Sequence, residues 1–174
     1  RLGDKGFAFV EVKPNFSRNT DDRTIDVTFK INQGPKVYVE RIDITGNSRT
    51  LDEVVRREFR LAEGDPYSTS KLARSEQRVN NLGFFQNVEV SQTAGSAPDQ
   101  TIVNVDVQEQ STGEITVGAG FSSTDGALAD FGIRESNLLG RGQELRLRAM
   151  LATERQQFDI GFTEPYFLGR EIAA

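Results

Sequence analysis

The chain has 174 residues, 36% hydrophobic and 27% charged, with a net charge of −5. That is too apolar for disorder, has no apolar run long enough for a membrane helix, and offers no basic stripe to neutralise nucleic-acid phosphates. The absence of Cys and His removes disulfides, thiolate chemistry, the commonest general base and the commonest zinc ligand.

Residues 1–34 read as a helix end followed by a hairpin. Its strands cover 9–16 and 24–31, joined by the polar stretch Ser17-Arg18-Asn19-Thr20-Asp21-Asp22. Asn32-Gln33-Gly34-Pro35 then punctuates the chain.

A complete unit is expected over 36–109. Val37, Val39, Ile42 and Ile44 supply a β-branched strand whose alternation slips near Glu40-Arg41, which predicts a bulge. Thr50-Leu51-Asp52-Glu53 matches a capping box, and Leu51, Val54, Val55 and Phe59 follow at helical spacing as one buried stripe. Glu63-Gly64-Asp65-Pro66 ends that helix; Ser68-Thr69-Ser70 starts the next, with Leu72, Val79 and Leu82 inward. Gly83 is expected as the left-handed residue that ends it, because glycine has no Cβ to clash at positive φ. Phe84-Phe85 folds back, and strands follow over 87–93 and 101–108. The order is β-α-α-β-β, two helices on one face of a three-stranded sheet.

The motif at 78–90 occurs earlier, in 1–12. Gly6 to Gly83, Phe7 to Phe84 and Thr24 to Thr101 are each 77 apart, an internal repeat. The sequence thus opens inside one copy and contains a second, and it is expected to be a fragment.

From Gly113 the period becomes two. Ile115, Val117, Ala119 and Phe121 share a face; so do Ala129, Phe131 and Ile133, then Leu145, Leu147, Ala149 and Leu151, then Phe158, Ile160 and Phe162. Glycines and charges hold the other face. Segments of this length and alternation fit either an up-and-down transmembrane barrel wall or a soluble meander over a core. Leu138, Leu139, Tyr166 and Phe167, in the turns at one end, suit an interfacial girdle. Four strands cannot close a barrel, so a second truncation is expected at Ala174.

The stretches 39–47, 56–64 and 78–90 are similar to a POTRA (polypeptide-transport-associated) domain. The first strand 113–121, the turn Asn137-Leu138-Leu139-Gly140-Arg141-Gly142 and Thr163-Glu164-Pro165-Tyr166-Phe167 follow it directly. Together they resemble the BamA family of outer-membrane protein assembly factors. The fold implied is α+β POTRA units followed by antiparallel strands of an incomplete transmembrane β-barrel. Residues 1–34 would be the C-terminal part of a truncated POTRA, 36–109 the last POTRA before the barrel, and 113–174 the first four or so barrel strands. The partners implied are unfolded outer-membrane protein clients, accessory lipoproteins and outer-membrane lipid, in the outer membrane and periplasm. No enzyme activity, cofactor, metal or nucleic acid is implied.

Three sites follow. The strand carrying Val88, Glu89, Val90, Ser91 and Gln92 is expected at a sheet edge, where a client strand could add; Glu89 and Gln92 could equally serve only to protect that edge. Glu63 falls where the resemblance implies lipoprotein docking, against a plain solvated acid. Glu114, Ile115, Thr116, Val117, Gly118, Ala119, Gly120 and Phe121 would form the first strand of a lateral seam that templates client pairing. Gly118 and Gly120 weaken it there, or merely ease curvature. Arg134, Arg146 and Arg148 are expected to pair with Asp130, Glu144 and Asp159, and the acid pairs Asp21-Asp22 and Asp52-Glu53 to be solvated turn and cap residues. The rival functions are a polypeptide-exporting pore of the same superfamily and a soluble periplasmic binding module.

Overall fold

A computed structural model describes residues 7, 10–19, 23–32, 36–170 and 172–173. The first copy of the repeated motif (1–6 and 8–9), the acids Asp21-Asp22 and the punctuation Gln33-Gly34-Pro35 lie outside the described residues. The chain divides into two compact units, one of 1–45, 58–79 and 89–106, the other of 46–57, 80–88 and 107–174.

β1 (Glu11–Asn19) pairs antiparallel with β2 (Thr24–Asn32), setting Val12 opposite Ile31 and Phe16 opposite Val27. β1 runs past the expected turn start at Ser17, because Arg18 and Asn19 pair with Ile25 and Thr24; a backbone ladder does not require apolar side chains. β3 (Tyr38–Thr45) runs parallel to β5 (Gln100–Glu109), and a bulge between Val39 and Arg41 falls where the alternation slips. β5 is central, with order β3-β5-β4, and β4 (Phe85–Ala94) is at an edge as expected. Thr101, Val103 and Val105 are wholly buried, so one side of β5 is core. The helix α2 (Thr69–Asn81) is capped by Ser68, whose Oγ accepts the Lys71 N–H at 3.4 Å. Leu72 and Val79 face inward as expected, and so does Ser75, whose Oγ accepts the Arg60 N–H and donates to the Lys71 carbonyl, both at 2.8 Å.

The first helix differs from expectation. α1 spans only Asp52–Arg56, and extended Leu51 stands at its N-cap with no side-chain bond, so the Thr50–Glu53 capping box does not form. Thr50 is buried and its hydroxyl accepts from the Asn137 amide instead. Leu51 is exposed and Phe59 lies beyond the helix end. The helix stops well before Gly64-Pro66 because the next residues are held elsewhere: Glu58 pairs with Arg78 at 2.9 Å, and the Arg60 N–H goes to Ser75.

The second unit contains Gly83 at φ +71°, then Phe84 and Phe85, both buried with their rings edge-on at 6.4 Å. Its main body is an antiparallel sheet of β6 (Gly113–Ser122), β7 (Gly126–Leu138), β8 (Gln143–Ala152) and β9 (Gln156–Thr163), in that order. The register sets Ile115 opposite Ile133, Val117 opposite Phe131, Ile133 opposite Leu147, and Leu147 opposite Ile160, collecting the apolar positions on one face. Among the described residues every buried hydrophobic side chain lies between Val37 and Val107, and none comes from this sheet.

Candidate functional site

The two outer edges of the β3-β5-β4 sheet are treated differently. Along β3 the loop of residues 62–67 occupies the free side: the Val39 N–H donates to the Asp65 carbonyl, and the Gly64 and Tyr67 N–H groups to the Val39 and Val37 carbonyls, at 2.7–2.9 Å. Along β4, among the described residues, nothing outside its own sheet pairs with residues 88–92. Val88 is buried, Val90 and Gln92 are half-buried, and Glu89 and Ser91 are exposed. Gln92 turns its Oε1 inward, where it finds no partner. Of the two expected guards only Glu89 therefore faces water.

Glu63 belongs to the loop that covers β3. It is exposed, and its Oε1 accepts the Ile42 N–H at 3.3 Å, just past the bulge. A bulge interrupts the ladder, and this carboxylate serves one of the groups beside it.

The residues Glu114, Ile115, Thr116, Val117, Gly118, Ala119, Gly120 and Phe121 all lie in β6, at one edge of the four-stranded sheet. Ile115, Val117 and Phe121 are 69–82% exposed, and across the same face Phe158 and Ile160 are 69% and 78% exposed. A Cβ added at Gly118 or Gly120 would stand 3.6 or 3.4 Å from Asp130 or Leu128. Neither position has the positive φ that would require glycine. The opposite face is charged and internally paired. Arg148 bonds Asp130 with two nitrogens at 2.8 and 2.9 Å, and Arg134 and Arg146 each reach Glu144 at 2.7 Å. Asp159 stands opposite Arg148 in the register. The expected pairings with Asp130 and Glu144 are therefore present.

Two features escaped the sequence reading. Glu109, whose side chain is 7% exposed, accepts the Thr50 N–H at 2.7 Å, the Arg49 N–H at 3.0 and 3.1 Å and the Ser48 hydroxyl at 2.8 Å. Burial alone would raise its carboxyl, but these donors outweigh it and hold it at about 2, from an ordinary 4.5. Tyr166, expected in the girdle, is half-buried with the Arg57 guanidinium 4.1 Å above its ring. Beside it Glu164 is held below the usual carboxylate range by the Gln143 amide and the Tyr166 N–H. Leu139 and Phe167 remain exposed, as a girdle would have them.

Among the described residues no helix is long and apolar enough to cross a membrane. Two family models match: POTRA, described as a surface antigen variable number repeat, over residues 37–110, and the Omp85 superfamily domain over 137–174. The chain is 39% identical over 96% of its length to the outer membrane protein assembly factor BamA of Neisseria meningitidis. It is 35% identical over 93% to that of Nitratidesulfovibrio vulgaris. It spans about a fifth of each of those relatives, 21% and 20%. A crystal structure of BamA from Haemophilus ducreyi lacking POTRA domains 1–3 aligns with a TM-score of 0.83 and 34% identity, covering 97% of this chain and 32% of that one.

Proposed function

We propose, from the premise that the chain belongs to the Omp85 superfamily as a POTRA repeat joined to barrel strands, that it is part of the core subunit of an outer-membrane β-barrel assembly machine. The strands lie in the outer membrane and the POTRA region in the periplasm. Residues 1–34 end a preceding POTRA, 36–109 form the last one, and 113–174 begin the barrel.

One observation carries the reading. The β6–β9 sheet leaves its apolar face uncovered and satisfies the charges of its polar face among themselves. A soluble meander would put that apolar face over a core. Hydrocarbon is the environment in which it costs nothing, with the ion-paired side toward a hydrated lumen.

The mechanism follows from open edges. The free side of β4 at Val88–Gln92 receives a client segment by strand addition, with backbone bonds supplying affinity whatever the client's side chains. β6, from Glu114 to Phe121, offers its backbone to the first client strand at a lateral seam with the last barrel strand. Insertion is driven by burial of the client's apolar face in lipid and completion of its backbone hydrogen bonds, without nucleotide and without catalysis. Accessory lipoproteins dock at the exposed loop around Glu63.

The experiment is a disulfide between β6 and the last strand of the full-length protein, in cells depleted of their own assembly factor. With the lock formed, outer-membrane protein levels should collapse and recover on reduction. Undiminished assembly with the lock verified would refute the seam.

A further inference from the structure

The connection from β5 to β6, Gln110-Ser111-Thr112, is short and polar. It is flanked by a closed ring of hydrogen bonds, all within the second unit. Before the connection stands Glu109, whose Oε1 accepts the Thr50 N–H at 2.7 Å. The Thr50 hydroxyl accepts from the Asn137 amide nitrogen at 2.8 Å, in a bond shielded from solvent. The Asn137 N–H donates to Glu135 at 2.8 Å, and the same carboxylate oxygen accepts the Thr112 hydroxyl, which closes the ring after the connection. The Gln110 N–H and side-chain amide are spent on the Phe84 and Gly83 carbonyls at 3.0 and 2.9 Å. A half-open pocket of about 420 Å³ is lined by residues of this ring together with Phe84 and Leu138.

The loop and helix on the far side of the ring are held twice more. The Leu51 N–H donates to the Gly140 carbonyl at 2.9 Å. Gly140 has φ +74°, and a Cβ there would stand 2.0 Å from the Arg49 carbonyl oxygen, so the turn after β7 meets the loop backbone to backbone. At the end of α1, Arg57 stacks on Tyr166, in the segment after β9, and Glu164 fixes the Tyr166 N–H at 2.9 Å.

We propose that residues 48–57 are a clasp, gripped at one end by the turn after β7 and at the other by the segment after β9. This loop and helix thereby move with the barrel strands, beside the 110–112 connection. Each grip uses a different chemistry, a shielded hydroxyl–amide bond at Thr50 and a cation–π stack at Arg57. Loss of one should loosen residues 48–57 from the strands and loss of both should free them. The inference stands on geometry around the connection and holds whatever polypeptide the protein handles.

The test places nitroxide labels at Glu53 and Ser123, both exposed, in the full-length protein in lipid nanodiscs, and reads the spin–spin distance distribution. The parent and Thr50→Ser, which keeps the acceptor oxygen, should give one narrow distribution. Thr50→Val should broaden it, and Thr50→Val with Tyr166→Leu should at least double its width, while heat-modifiable gel mobility reports an intact barrel. A double variant as narrow as the parent would overturn the clasp. Should Thr50→Val fail to fold, hydrogen–deuterium exchange of the unmodified protein decides. Residues 48–57 should exchange at least ten-fold more slowly than the turn at 123–125; equal rates would overturn the proposal.

Discussion

The sheet of β3, β5 and β4 and the sheet of β6 to β9 are built from the same residue types, yet they place them oppositely. On β5, Thr101, Val103 and Val105 are wholly buried; on β6, Ile115, Val117 and Phe121 are 69–82% exposed. Alternation with period two tells which residues share a face, and both sheets obey it. It does not tell what that face meets. The first sheet has its core within the chain, whereas nothing among the described residues covers the apolar face of the second.

The largest test of that contrast is Val105→Asp. An unpaired carboxylate in a dry core is among the few single changes that cost more than about 4 kcal/mol, and it should abolish the cooperative melt of the β-α-α-β-β region. Ile160→Arg comes next, in the middle of β9. If the face meets lipid it should cost about 2–4 kcal/mol and lower the yield of folded barrel in vesicles. If the face meets water the change should stay within about 0.5 kcal/mol, and the two regions would no longer differ in kind.

Glu109 probes the stretch where the two sheets join along the chain. Its carboxyl is held at about 2 against an ordinary 4.5, so its contribution is complete above pH 4.5 and disappears as pH falls through 2. The loss should be on the order of 3 kcal/mol, seen as a falling denaturation midpoint over that window. Glu109→Gln should remove about 1–3 kcal/mol of it at neutral pH and flatten the dependence. The smallest effect belongs to Gly118→Ala. The added methyl would sit at ordinary contact distance, 3.6 Å from Asp130, so stability should move by less than about 0.5 kcal/mol. A larger loss, measured by the same midpoint, would mean that β6 needs its glycines for something other than fit.

The sequence disclosed whatever depends on near neighbours. Gly83 ends α2 because positive φ suits glycine, the bulge sits where Glu40-Arg41 breaks the alternation, and the four apolar stripes after Gly113 align as their spacing requires. It misled at Thr50, where a local capping pattern lost to a hydroxyl–amide bond with a residue 87 positions later. Glu109 was invisible for the same reason. Gln108-Glu109-Gln110-Ser111-Thr112 has the composition of a solvated linker, and only the return of residues 48–50 in space turns one of its acids into a buried acceptor of several N–H groups. Tyr166 read as an interfacial aromatic because aromatic turns have that common use; its partner, Arg57, is far away in the chain and offers no local signal.

The loop of residues 62–67 covers the start of the β3 margin of the three-stranded sheet, while the β4 margin carries no such cover among the described residues. A body that is sticky on two sides propagates without end, as fibrils do; one that is sticky on one side pairs once and stops. If β4 accepts an added strand, as proposed, crowded copies of this repeat should pair through that margin before they add to one another along β3.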